Sequence, residues 1–129
     1  MAKEEKLLID EAVEEKDDMD VEEAEVSEIF EYKSKAYHLH YTLRRLQTAE
    51  QMAKTSTVAM LSMNNSMMGI QELMIYFAAG LCDENGDYIK TGKGLGLAEE
   101  LIQEQGYIQI NMVVVNALMR DCGFLFQTV

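Results

Sequence analysis

The sequence contains neither proline nor tryptophan, and only 8% of its 129 residues are aromatic. Basic residues are also few: 11 lysines and arginines stand against 23 aspartates and glutamates, which gives a formal net charge of −12. Nucleic acids and anionic lipid surfaces are bound by cationic proteins, because the protein must neutralise phosphate charge. The charge balance therefore disfavours both kinds of partner.

Long hydrophobic runs are missing as well. The longest apolar run covers ten residues, from Leu73 to Cys82, whereas a membrane-spanning helix needs about 20. The first residues mix lysine with glutamate, and we expect no secretion signal because no apolar segment of the typical kind follows them. The only two cysteines, Cys82 and Cys122, could pair, but the lack of an export signal favours two reduced thiols in a cytosol.

What the sequence does contain is a sharp division of charge. Residues 1–31 carry three lysines against fourteen acidic residues, a net charge of −11, whereas residues 32–129 have a net charge of −1. We therefore expect an acidic N-terminal arm at residues 1–27, with a helix over about 4–16 where apolar residues share one face. The hydrophobic fraction of 48% is enough for one folded domain, which we expect at residues 28–129.

The segment after the arm has the period of a β-strand. Tyr37, Leu39 and Tyr41 alternate with His38 and His40, as in a strand with one buried face. A polar break at residues 33–35 precedes this alternation. The sequence therefore predicts a β-hairpin with strands at about 28–33 and 36–41.

The remaining residues have mainly helical patterns. Thr42 is a suitable N-cap for a helix with a buried stripe, and four further segments are predicted to be helical. The stripe of the first helix is Leu43, Leu46, Ala49 and Ala53, and Arg44, Arg45, Gln47 and Glu50 should face outward. The later helices are predicted at about 58–63, 67–81, 97–102 and 107–122, with a turn at 83–87 and a flexible loop at 92–96. In the last of them the three valines at 113–115 favour a strand locally, but Gln109, Asn116 and Arg120 fall on one helical stripe, which favours a helix. The predicted fold class is mostly α (α+β): an N-terminal β-hairpin followed by a compact bundle of about four to five helices, preceded by the acidic arm.

Three short motifs suggest ligand binding, and each is incomplete. Residues 83–87 begin like a calcium loop, but Tyr88 stands where that loop requires glycine and Gly94 where it requires glutamate. The glycines of residues 92–96 lack the spacing of a phosphate loop. His38 and His40 could present two nitrogens to zinc, but no further ligand has suggestive spacing. Because no nucleophile, base and orienting residue can be assembled either, we expect no catalytic residue, no metal and no cofactor.

Methionine is the residue type in excess, with ten in the chain. Two interpretations stay open: methionines can fill a core, or they can form an adaptable surface for helical partners. The second is favoured because the helices between residues 58 and 81 have few polar positions, and a domain of this size buries limited apolar area by itself. The candidate surface for a client or for self-association comprises Met60, Met63, Met67, Met68, Met74, Tyr76, Phe77, Met112 and Met119.

The order of these elements resembles one known family. The predicted hairpin has the sequences IFEY and YHLHY and is followed directly by TLRRL at the start of the first helix. An apolar helix later ends with LMIYFAAGL. An acidic helix then contains AEELI, and the closing helix ends with LMRDCGF. Over residues 28–125 this layout resembles the small tail assembly chaperones of long-tailed bacteriophages.

The resemblance implies a non-enzymatic protein of the infected host's cytoplasm. Proteins of this family bind the tape measure protein, a long, helical, apolar chain, and keep it from aggregating. They also associate with copies of themselves and help to recruit tail-tube subunits. The resemblance carries no catalytic residue and no cofactor.

Two other functions remain as alternatives. An acidic protein can mimic DNA and inhibit a basic host protein, but such a mimic needs carboxylates arrayed on a rigid surface, and here they are concentrated in the arm. A minor structural protein retained in the phage tail is the other alternative.

Overall fold

The computed structural model describes residues 29–62 and 66–126. Three features of the sequence analysis lie outside these residues: the arm at 1–27, its helix at 4–16, and Met63. The described part is mostly helical with an N-terminal β-hairpin, as predicted. Its strands are β1 (Ile29–Tyr32), β2 (Lys35–Leu39) and β3 (Leu81–Asp83). Its helices are α1 (Leu43–Ala53), α2 (Thr57–Ser62), α3 (Ile70–Gly80), α4 (Thr91–Gln105) and α5 (Tyr107–Cys122), followed by a 3-10 helix at Gly123–Phe126.

The hairpin forms where the alternating pattern predicted it. Strand β1 pairs antiparallel with β2, with Phe30 opposite Tyr37. Tyr37 and Leu39 are buried, whereas His40 is exposed. The turn between the strands consists of Lys33 and Ser34, whose φ angles of 51° and 66° are both positive. Two consecutive positive φ angles match the twist of the flanking strands, and here the turn adopts them without glycine.

Strand β3 was not predicted. The sequence indicated a helix through residue 81, but α3 ends at Gly80 and the next three residues pair antiparallel with β2, which gives the strand order β1–β2–β3. A Cβ atom on Gly80 would lie 2.4 Å from the Tyr41 ring, so only glycine allows this close approach. His40 N donates to the Gly80 carbonyl at 2.8 Å. The predicted turn follows, with Asp83 Oδ1 accepting from the backbone N–H groups of Asn85 and Asp87.

Helix α1 begins at the predicted cap, because the Thr42 hydroxyl accepts a hydrogen bond from Arg45 N at 3.2 Å. Leu46 and Ala49 are buried as expected, but Leu43 is exposed. The prediction that Arg45 faces outward is wrong: its Nε donates to the Ala79 carbonyl at 2.6 Å, and its guanidinium lies 4.2 Å from the centre of the Tyr88 ring. The arginine thus ties α1 to the end of α3.

The predicted flexible loop at residues 92–96 is also wrong, because these residues form the first turns of α4. A Cβ atom on Gly94 would lie 3.0 Å from Ala78 Cβ and 3.1 Å from Ala78 Cα. Glycine at this position lets α4 approach α3 closely, and the packing gained outweighs the low helix propensity of glycine. Gly106, with a φ of 95°, then separates α4 from α5.

Helix α3 is the centre of the fold. It packs against α1, α4, α5 and β2, and Leu73, Tyr76 and Phe77 are at most 1% exposed. A helix that is apolar on nearly all sides must be covered on all sides. Here the other elements of the same chain supply that cover.

Candidate interaction surface

The last helix positions the candidate surface. Residues 113–115 are three valines, which favour a strand locally, yet α5 is helical between the predicted bounds of 107 and 122. Ile110, Val114 and Leu118 recur every four residues on its inner face and are buried. Tertiary packing of this face therefore outweighs the local β-propensity.

The outer face of α5 is also apolar. Ile108, Met112 and Met119 are 58%, 54% and 46% exposed, and Val115, between them, is half-buried. Their spacing of four, three and four residues places these side chains on one side of the helix. We call Ile108, Met112, Val115 and Met119 the outer stripe. It extends for about 16 Å along the helix axis.

The segment before α3 is attached beside this stripe by two residues of α5. Asn111, which is buried, accepts from Met68 N at 3.2 Å and donates to the Ser66 carbonyl at 3.1 Å. The Tyr107 hydroxyl donates to the Met68 carbonyl. The Asn111 amide nitrogen is also 3.6 Å from the sulfur of Met67, which is exposed. Met67 therefore lies next to α5 and adds a further apolar side chain to the exposed surface.

The structure divides the predicted surface residues into two groups. Met67, Met112 and Met119 are exposed, and Met74 is half-buried against the core. The other described members are at most 5% exposed and belong to the core, so their assignment to an exposed surface is corrected: Met60, Met68, Tyr76 and Phe77. For Tyr76 and Phe77 the reason is the central position of α3, whose sides are covered by α1, α4 and α5.

Hydrogen bonds hold the buried tyrosines in place. The Tyr76 hydroxyl lies 2.7 Å from the Thr57 hydroxyl, and the Tyr41 hydroxyl donates to the Tyr76 carbonyl at 2.6 Å. Burial raises the pKa of Tyr41 well above its ordinary value, so this phenol stays protonated as a donor. These partners make Tyr76 a structural residue of the core.

The end of α5 is joined to the hairpin by a charged pair. Arg120 donates to Asp121 at 2.8 Å and to the Leu39 carbonyl at 2.6 Å. Asp121 also accepts from Tyr41 N at 2.9 Å. Burial of the Asp121 carboxyl raises its pKa, but the hydrogen bonds from Arg120 and Tyr41 outweigh that effect and hold the pKa below its ordinary value. This network fixes the orientation of α5 and therefore of its outer stripe.

The part of the chain that the structure describes has no candidate metal-binding cluster. There, no three His, Cys, Asp or Glu side chains lie together in a geometry that could hold a metal ion. Cys82 and Cys122 are free and buried, and burial raises the pKa of each thiol to about 11. Among the described helices, none has the length and apolar character needed to span a bilayer.

Sequence reasoning missed two residues of the outer stripe, Ile108 and Val115. The signal was present, since apolar residues of the segment 107–122 fall on two different sides of a helical projection. One side carries Ile110, Val114 and Leu118, and the other carries the stripe. A search for methionine alone finds only Met112 and Met119.

No protein-family model, curated protein or solved structure matches this chain. The geometry of the described residues therefore stands by itself, and its distinctive feature is a helix with an exposed apolar stripe beside its core face.

Proposed function

We propose that this chain is a tail assembly chaperone of the kind made by long-tailed bacteriophages. In this proposal it is not an enzyme and acts in the cytoplasm of the infected host. It binds helical segments of the tape measure protein, keeps that protein soluble, and helps to recruit tail-tube subunits. The observation that carries the proposal is the exposed outer stripe of α5, which the chain itself leaves uncovered among the described residues.

The outer stripe has the chemistry needed for a helical client. Helix-binding grooves contact apolar residues spaced three and four apart on the client, and the stripe has the same spacing. Two of its four residues are Met112 and Met119, and unbranched methionine side chains adapt to different client sequences. Such a surface suits a long client whose successive helical segments differ in sequence.

One stripe by itself gives weak binding. Covering an exposed apolar side chain contributes about 1.5–3 kcal/mol, and the loss of translational and rotational freedom on association offsets much of that gain. We therefore propose that many copies bind along one client and contact their neighbours, so that avidity supplies the stability of the whole complex.

The acidic arm has a role in the same proposal. Residues 1–31 carry a net charge of −11, and each bound copy would add this charge to the complex. Like charges on neighbouring complexes repel one another and oppose clumping. The nearly neutral remainder of the chain, with a net charge of −1, allows copies to lie close together.

Co-expression tests the proposal with a matched pair of variants. The client is a tape measure segment that is insoluble when expressed alone, and the measurement is its soluble fraction. We expect the unaltered protein to rescue the client and Met112→Glu to lose at least about 80% of that rescue, because a charge at the centre of an apolar contact is costly. Met52→Glu is the control, since Met52 is also exposed but lies on α1.

Equal rescue by the two variants, or no rescue by the unaltered protein, would contradict the proposal. The alternatives give other results. A DNA-mimic inhibitor would bind a basic host protein and leave the client insoluble, and a structural tail protein would be found by mass spectrometry in purified phage particles.

A further inference from the structure

In the part of the chain that the structure describes, the first strand of the sheet has an open edge. The strand order is β1–β2–β3, and among residues 29–62 and 66–126 the strand β1 pairs only with β2. On its other edge, the backbone N–H and C=O groups of β1 are available to a further strand. Ile29 and Glu31 of this strand are both exposed, Ile29 to 68%. Nothing in the described part of the chain covers this edge.

An apolar groove of about 200 Å³ lies beside β1 on the core side of the sheet. Phe30 forms one wall, and its ring centre is 5.8 Å from that of Tyr37 and 6.1 Å from that of Phe77. Leu101 of α4 and Ile110 and Val113 of α5 form the opposite walls, with the Gln105 and Gln109 amides at the rim.

The groove lies where a fourth strand would place its inward side chains. Neighbouring strands are about 4.8 Å apart, and alternate side chains of each strand point to the same face. A strand added outside β1 would therefore direct every second side chain toward α4 and α5. Among the described residues, three strands form the sheet beside the two helices, and they leave Val113 only half-buried although Leu101 and Ile110 are buried. A large apolar side chain of the added strand would extend this cover over Val113 and fill the groove.

The charge around the groove favours a basic occupant. Glu31 is exposed on β1 itself, and Glu104 is exposed on α4 next to the rim residue Gln105. Residues 1–28, which directly precede β1, carry three lysines against thirteen acidic residues, a net charge of −10. This charge attracts a cationic segment and repels a second copy of the same acidic chain.

We propose that the open edge of β1 and the adjoining groove bind an extended, basic segment of a partner protein as a fourth strand. Backbone hydrogen bonds to β1 supply affinity that does not depend on the partner's sequence. A leucine-sized side chain in the groove and lysine or arginine on the outer face supply the specificity. This site is separate from the outer stripe, since Ile110 and Val113 lie on other sides of α5, and it does not rest on the proposed chaperone function.

A peptide-binding experiment with the full-length protein tests this site. The probe is a fluorescent nine-residue peptide that alternates leucine and lysine, and its binding is followed by anisotropy. The two variants are Gln105→Trp, which fills the rim of the groove, and Gln103→Trp, which puts the same side chain elsewhere on the exposed surface of α4. We expect Gln105→Trp to weaken binding at least about tenfold and Gln103→Trp to change it less than about twofold.

Three further measurements test the parts of the proposal separately. A peptide with proline at its centre should bind at least about tenfold more weakly, because proline cannot donate to the strand ladder. Replacing the lysines by glutamate should abolish binding. Hydrogen exchange should show slower exchange of the β1 amides when the lysine peptide is bound.

Three results would overturn the proposal. The first is equal binding by the two tryptophan variants, and the second is protection of α5 without protection of β1. The third is a change in the protein's own oligomeric state caused by Gln105→Trp, which would show that a second copy occupies the edge.

Discussion

Helices α3 and α5 are both rich in apolar residues, but their surroundings differ. Helix α3 packs against α1, α4, α5 and β2, and from Leu73 to Gly80 every residue except Met74 is buried. Helix α5 packs against α3, α4 and the 3-10 helix that follows it. Its outer stripe keeps Ile108, Met112 and Met119 about half exposed.

The difference shows that apolar composition alone does not separate a fully buried helix from a helix with an exposed apolar stripe. What separates them is the number of sides on which the chain provides a neighbour. Methionines illustrate the point: Met60 and Met68 are core residues, whereas Met112 and Met119 have the same chemistry and are exposed. If this comparison is right, substitutions on the two helices will have very different effects on stability.

The largest effect is expected at the centre of α3. Phe77→Ala should lower the free energy of unfolding by about 3–5 kcal/mol, because it leaves a cavity among fully buried neighbours. Urea denaturation followed by circular dichroism measures this loss. Ile108→Ala on the outer face of α5 is the control and should cost less than about 0.5 kcal/mol. Similar losses in the two variants would contradict the comparison.

A smaller loss of stability is expected for a substitution on the buried face of α5 than at the centre of α3. Asn111→Ala should cost about 1–3 kcal/mol, because it leaves Met68 N–H and the Ser66 carbonyl without their hydrogen-bond partner in a buried place. Asn116→Ala makes the same change at an exposed position of the same helix and should stay within about 0.5 kcal/mol. Thermal unfolding of both variants provides the test, and equal melting temperatures would show that Asn111 does not hold residues 66–68.

The charged pair at the end of α5 should make stability depend on pH. The folded-state pKa of Asp121 is lower than its ordinary value of 3.8, so at acidic pH the unfolded chain binds more protons there. The stabilisation is therefore present above the ordinary pKa and is lost as pH falls toward the lowered value.

Asp121→Asn should remove about 1–2 kcal/mol at neutral pH, because hydrogen bonds to charged groups contribute about 1.5–3 kcal/mol and asparagine keeps one acceptor oxygen. It should also flatten the fall in stability between about pH 5 and pH 3. Urea midpoints measured across this range check both effects. Glu99→Gln, at an exposed position of α4, should leave the profile unchanged. An unchanged acid profile in Asp121→Asn would refute this role for the carboxylate.

The smallest effect on stability is expected for the outer stripe itself. Met112→Ala should change the free energy of unfolding by less than about 0.5 kcal/mol, whereas Met60→Ala, at a methionine that is only 5% exposed, should cost about 2–5 kcal/mol. Chemical denaturation of the two variants gives a direct comparison. A large loss for Met112→Ala would mean that this side chain supports the fold and is not free to bind a partner.

Local patterns in the sequence were sufficient for several elements. The alternation of Tyr37 and Leu39 with His38 predicted the hairpin, because the period of two is set by strand geometry. Thr42 predicted the start of α1 through its side-chain acceptor. The polar residues Gln109, Asn116 and Arg120, which share one side of a helix, predicted α5 against the β-propensity of three valines. Each of these signals lies within a few residues of the structure that it specifies.

Other features depended on contacts between distant parts of the chain. Gly94 lies in a helix because Ala78 approaches it, and Gly80 ends α3 beside the ring of Tyr41. Strand β3 is too short to have a period of its own and forms because β2 is next to it. For the candidate surface, local patterns could not show which side chains distant elements would cover, so Tyr76 and Phe77 were assigned to it wrongly. Met67, Met112 and Met119 are exposed, as such a surface requires.

The sequence by itself determined the division between an acidic arm and a nearly neutral domain, and the helical or extended character of most segments. These properties follow from residue charge and from the geometry of short backbone stretches. Only the tertiary structure decided which apolar residues are covered. Burial depends on neighbours that are far away in the sequence, and those neighbours enclose α3 while leaving the outer stripe of α5 exposed.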